Sequence, residues 1–272
     1  MILPLNPIDQ PEAKLNLSTY GRTASDREYV FAVPQPDRLG KRHQPLRHKV
    51  FLGIIEGELE RAGCKIVQQK YVLQDSSKRG GGPGLKDGNL FAVMEVHLPG
   101  GALGGHGTYA WIVGARNSNG LDFSAGVRLG RGVICCSNLL FAGGEIAVIR
   151  RHTGSVGQDL EIRLREALAG ITDHQARIEQ RVQRLRSIEV SADRAKVLSV
   201  DAHLAGACAG NQIPRIYREF IEPSYEDFAA EPCNLWRWEN ALTHIAMKDV
   251  SPQLVDRRSV ELERFMDTLV EA

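Results

Sequence analysis

Six apolar residues, Leu164, Leu168, Ile171, Ile178, Val182 and Leu185, recur at 4-3-7-4-3 spacing, with Gln175 in the one seam position that is not apolar. Side chains three and four apart share a face of an α-helix, whereas strand faces alternate every two residues, so this spacing predicts an amphipathic helix. It runs for about three heptads from near Val156. Gly170 can interrupt it. Off the seam lie Arg163, Arg165, Arg177, Arg181, Arg184 and Arg186, interleaved with Glu161, Glu166 and Glu179. That outer face reads as a salt-bridged surface of a helix packed on its neighbours, or as a stripe facing nucleic acid.

Upstream the pattern changes to short β-branched and aromatic runs. They predict strands at 29–33, 65–73, 90–98, 108–116, 121–127, 132–140 and 145–149, with one helix starting at Val50 and stopping at Gly63. Asn119-Gly120 and Gly143-Gly144 are turn signals too tight for crossover helices, which favours antiparallel pairing over a doubly wound parallel sheet. Downstream, capping and proline signals predict helices over 193–209, 214–220, 232–247 and 251–271. The fold class is therefore α+β: a mostly antiparallel sheet in the first half, then a long amphipathic helix and a helical C-terminal part. The organisation expected is an arm over 1–45, a strand-rich core over 46–155 and a helical part over 156–272 packed on it.

Charge is unevenly distributed. Residues 1–200 hold 27 Lys and Arg against 20 Asp and Glu, while 201–272 hold 7 against 13. Such a split fits a surface facing a polyanion, or an acidic segment packed against a basic body. The basic residues cluster. Arg38, Lys41, Arg42, His43, Arg47, His48 and Lys49 crowd the start of the first long helix, where positive charge opposes the helix dipole unless an anion binds. Lys78, Arg79 and Lys86 sit in or beside a glycine-rich loop, and Arg128, Arg131, Arg150 and Arg151 lie on or beside predicted strands. Ser137-Asn138 and Arg151-His152-Thr153 are polar ends of two such strands, where site rims form; Thr153 or Ser155 would also serve as an N-cap for the long helix.

Other chemistries have weaker signals. The run from Gly81 to Lys86 lacks the Lys-Ser or Lys-Thr pair of a phosphate-binding loop and precedes a strand, not a helix. Glu95, His97 and His106 are weak metal candidates, with Asp122 and His152 in the same half, but no spacing makes them converge. The five cysteines, Cys64, Cys135, Cys136, Cys208 and Cys233, form no C-x-x-C pair and read as buried thiols in a reducing cytoplasm. A nucleophile pair of Cys136 with His152 has no geometric support in the spacing. Trp236 and Trp238 read as core residues ahead of a base-stacking platform.

The segments Arg131-Gly132-Val133-Ile134-Cys135-Cys136-Ser137-Asn138, Arg151-His152-Thr153 and Glu239-Asn240-Ala241-Leu242-Thr243 occur in this order. Together they resemble the phage/plasmid-like proteins of the domain-of-unknown-function 932 family, which carry an R-V-x-C-x-N strand, an H-T pair before a long helix and an N-A-x-T helix. The chain departs from that pattern at Leu139 and at Ile245-Ala246. The resemblance implies a phage or plasmid-like mobile element and no defined biochemical activity.

The functional expectation is a cytoplasmic, non-enzymatic nucleic-acid-binding protein, for DNA that is single-stranded or deformed, used in recombination, replication or annealing. Phosphate contacts would come from Arg38, Lys41, Arg42, Arg47, Lys49, Lys78, Arg79, Lys86, Arg128, Arg131, Arg150 and Arg151, with Ser137, Asn138, His152 and Thr153 beside them and Tyr109 or Trp111 as stacking surfaces. No cofactor and no membrane partner are expected, and a homo-oligomer is left open. A metal-assisted hydrolase and a structural or assembly protein are the alternatives.

Overall fold

The computed structural model describes residues 25–77, 84–99, 109–120, 122–133, 139–140, 146–247 and 252–271. Its first element is a helix, α1 (Arg27–Ala32), where the β-branched run had predicted a strand. Local capping overrides that propensity: the Asp26 carboxylate accepts the Tyr29 backbone N–H at 2.7 Å, and Glu28 follows in the first turn. Helix α2 (His48–Arg61) ends before Gly63, whose φ of 76° only glycine adopts without strain. The basic residue at its N-cap, Arg47, reaches back instead to the carbonyls of Phe31 and Val33 at the C-terminal end of α1, the end that favours a cation.

Six antiparallel strands follow: β1 (Lys65–Gln74), β2 (Asn89–His97), β3 (Tyr109–Ser118), β4 (Ala125–Val133), β5 (Leu139–Leu140) and β6 (Ile146–Arg150). They pair in the order β1-β2-β3-β4-β5, and β6 joins β4 beside the β5 pairing, opposite residues 125–129. The expected strands at 121–127 and 132–140 are thus repartitioned, because one continuous β4 bonds Arg116↔Gly126 through Tyr109↔Val133. Asn119-Gly120 is no two-residue hairpin. Its backbone is tied to Gly88 by an Asn119 N–H donated at 2.7 Å, and Gly120 lies so close to Ser76 that a Cβ would fall 2.7 Å from the serine Cβ. Glycine here answers to close approach.

Alternation sets the two sheet faces. Leu90, Ala92, Met94 and Val96 on β2, Trp111, Val113 and Ala115 on β3, and Val127 and Leu129 on β4 point into one core cluster that also takes in the helices. Val30 and Val33, within the segment read as an arm, belong to the same cluster.

The amphipathic segment forms α3 (Val156–Ala169) and α4 (Ile171–Ser187), separated at Gly170. All six seam residues are buried. The polar seam residue Gln175 turns to Glu179, while its neighbour His174 takes the buried place beside Trp111, ring centroids 5.9 Å apart. Ser155 occupies the N-cap position without a side-chain cap bond, its hydroxyl donating to Asp159 instead.

Beyond lie α5 (Ala192–Leu204), α6 (Ile213–Ile221), α7 (Glu226–Ala229), α8 (Leu235–Met247) and α9 (Pro252–Glu271). Trp236 and Trp238 on α8 are buried. Between them Arg237 donates to the carbonyls of Phe220, Ile221 and Glu231, capping the end of α6 with a charge-assisted fork. Among the described residues no helix is long and apolar enough to cross a membrane.

Candidate nucleic-acid interface

Two stretches more than a hundred residues apart meet at one edge of the sheet. The loop before α2 bridges to the segment after β6: His43 pairs with Thr153, and the Gln44 N–H donates to the His152 carbonyl at 2.8 Å. The join leaves a cleft of about 570 Å³ lined by Leu39, Gly40, Lys41, Arg42, His43, Gly120, Phe123, Ser124, Arg151, His152 and Thr153. Lys41, Arg42 and Arg151 are exposed, and none has a carboxylate within 4.0 Å among the described residues. Uncompensated cations around a concave surface make a site for anions.

Beneath the cations the lining is polar but neutral, organised by Asn117 at the end of β3, a fully buried residue. Its amide nitrogen donates to the Leu46 carbonyl at 2.7 Å and to His48 Nδ1 at 2.9 Å. Its Oδ1 must then accept from His152 Nε2, 2.8 Å away. These bonds settle the tautomers. His48 carries its proton on Nε2 and donates to the Asp87 carbonyl at 3.0 Å; His152 carries its proton on Nε2 and keeps a lone pair on Nδ1, to which no described residue donates.

His43 is set the same way. Its Nδ1 accepts the Leu39 backbone N–H at 3.1 Å, so its proton is on Nε2, a buried donor with no partner among the described residues. Burial keeps all three rings uncharged. It lowers His43, pushes His48 down to about 4 in spite of the Asp87 carbonyl, and with the nearby His43 and His48 pushes His152 down to about 4.

Phe123 lies on the lining with its ring 5.3 Å from that of Phe91 and the Arg116 guanidinium 5.5 Å from its centroid. The adjacent Asp122 holds the connection in shape, accepting from the Ser77 N–H and hydroxyl and from Asn89 Nδ2. Burial opposes its ionisation, but those donors outweigh it and hold Asp122 below the usual carboxylate range.

Of the basic residues expected to face an anion, the structure brings Lys41, Arg42 and Arg151 together, with His152 and Thr153. Arg38 and Lys86 are exposed but off the cleft. Arg47 is committed to α1 carbonyls, Lys49 stands over the Phe31 ring at 5.8 Å, and Arg150 is paired with Asp159. Arg128 sits on the sheet face opposite the core cluster, between the inward Val127 and Leu129. Lys78, Arg79, Ser137, Asn138 and His106 lie outside the described residues, as do the side chains of Arg131 and Tyr109. Trp111 cannot stack on a ligand, because it is 1% exposed inside the core.

Among the described residues the metal candidates do not converge. Glu95 accepts from Gln68 on the sheet face opposite the core cluster, Asp122 accepts from Ser77 and Asn89, and His152 gives its Nε2–H to Asn117. Among the described residues no group of three or more His, Cys, Asp or Glu is placed to hold a metal ion.

Cys64 and Cys208 are buried, and burial pushes the Cys64 thiol up to about 11; Cys233 is exposed, against expectation, just ahead of α8. Cys135 and Cys136 lie outside the described residues.

The sequence pointed to two of the cleft's segments but not to His43, Asn117, Phe123 or Ser124 as partners. The run Asn117-Ser118-Asn119-Gly120 held the one available signal, several polar residues closing an apolar strand. Comparison with protein-family models, with curated proteins and with solved structures returns no match.

Proposed function

We propose that the protein binds nucleic acid, single-stranded DNA in the first place, through the cleft between the loop before α2 and the segment after β6. One observation carries this reading: Lys41 and Arg42 from one segment and Arg151 from another surround a single concavity, with no carboxylate within 4.0 Å among the described residues. Phosphodiesters are the polyanion such a cluster suits, since each neutralised phosphate releases condensed counterions. The resemblance in the sequence suggests a phage or plasmid-like element as the setting, with annealing, recombination or replication as the use.

The test is an anisotropy titration of a labelled single-stranded oligonucleotide across ionic strength. Affinity is expected to fall linearly in log–log form with a slope near −0.7 per phosphate contacted, about −2 for three cations. A flat response, or no binding at low salt, overturns the proposal.

A further inference from the structure

We infer that the cleft takes one unpaired nucleotide with its base turned inward, so that the protein selects single strands by what lies below the phosphate. This rests on the nucleic-acid reading of the same site. The electrostatic attraction for a sugar-phosphate backbone comes from cations. Here they stop at the rim.

The lower lining is uncharged and apolar-aromatic: His43 and His152, 7% exposed each, with Leu39 and Phe123 beside them. Placing a phosphate there would strip it of water against neutral groups, an unfavourable exchange, whereas a heterocycle loses little. The polar atoms also have complementary senses. His43 Nε2–H is a donor without a partner among the described residues, and His152 Nδ1 is an acceptor to which none of them donates. Their rings are 6.0 Å apart, centroid to centroid. The pairing edge of a nucleobase offers the reverse, an acceptor next to a donor, and in a duplex that edge is already used. The cleft volume of about 570 Å³ lies within the ~300–1,000 Å³ usual for small-ligand sites, a scale that suits one nucleotide rather than a stretch of helix.

The experiment uses the full chain and three probes, compared per phosphate: a thymidine tetranucleotide, the same backbone with every base removed, and a short hairpin duplex. The tetranucleotide is expected to bind at least 10-fold more tightly than the abasic strand, in line with the ~1–3 kcal/mol a stacked base contributes. The duplex should bind no better than the abasic strand. Phe123→Leu should weaken the tetranucleotide and leave the abasic strand unchanged, with circular dichroism confirming the fold.

Equal binding of tetranucleotide and abasic strand, both salt-dependent, overturns the inward base while leaving the phosphate reading intact. Preference for the duplex does the same. Failure of all three probes overturns the nucleic-acid reading itself.

Discussion

The cleft and the helical half both concentrate polar and charged groups, and they treat charge in opposite ways. In the helices several arginines are answered by carboxylates. Arg165 makes a fork to the buried Glu58, with bonds of 3.1 and 2.9 Å, and reaches Glu161; Arg181 meets Asp267; Arg186 meets Glu231 at 3.1 Å. At the cleft the cations are exposed and have no carboxylate partner among the described residues, and beneath them are imidazoles of which His48 and His152 are ordered by one asparagine. Matched charges hold elements together, and unmatched ones leave free energy for a ligand. The arginine-rich segment, the feature most conspicuous in the sequence, thus commits Arg165, Arg181 and Arg186 to carboxylates, whereas Lys41, Arg42 and Arg151 have none within 4.0 Å among the described residues.

Acid should separate the two regions most sharply. His48 and His152 are lowered to about 4 in the fold, so the unfolded chain binds more protons between that value and about 6.5. Their contribution is complete above pH 6.5 and is lost as pH falls toward 4, on the order of 3 kcal/mol for each ring. Glu58 is held below its ordinary range, chiefly by Arg165 against the cost of burial, so its contribution persists to lower pH and is lost only as pH falls through that depressed value. Hydrogen exchange followed from pH 7 to 3 should show residues 39–47 and 117 losing protection before the body of α2 and α3. Simultaneous loss would erase the distinction.

Arg237→Met tests the helical half alone. Removing a guanidinium that serves three carbonyls should cost about 3 kcal/mol in chemical denaturation, with oligonucleotide affinity measured below the transition unchanged. Gly120→Ala probes the lining of the cleft. The new methyl would meet Ser76 Cβ at 2.7 Å and Oγ at 2.8 Å, so a loss of about 2 kcal/mol is expected, read as a shift of the denaturation midpoint.

The smallest effect on stability belongs to the cleft cations. Lys41→Ala, Arg42→Ala and Arg151→Ala should each stay within about 0.5 kcal/mol of the parent in denaturation, while each lowers the magnitude of the salt slope of DNA binding by about 0.7. A large stability loss in any of them would place that residue with the helical arginines.

Much of the scaffold was legible because its signals are periodic. The Leu164 to Leu185 seam reappears with every residue buried, and the breaks at Gly63 and Gly170 fall where glycine was expected to act. One local signal competed with another and misled: the run at 29–33 has β-branched and aromatic residues, yet the Asp26 cap makes it α1. Asn119-Gly120 does lie in the connection of the antiparallel β3 and β4, packed against Gly88 and Ser76. Basic residues were legible as a cluster but not as a site, because Arg47, Lys49 and Arg150 differ from Lys41, Arg42 and Arg151 only in their neighbours.

By itself, then, the amino-acid order determined the periodic parts: which half forms strands, which half forms helices, and which helix face is apolar, since these follow from interactions within a few residues. Tertiary structure decided the cleft. Loop 39–44 meets 151–153 through the His43 and Thr153 pairing, and Asn117 distributes its three hydrogen bonds to Leu46, His48 and His152 across two chain-distant segments. Burial and hydrogen-bond partners, which set both the charge state and the tautomer of an imidazole, exist only after the chain has closed on itself.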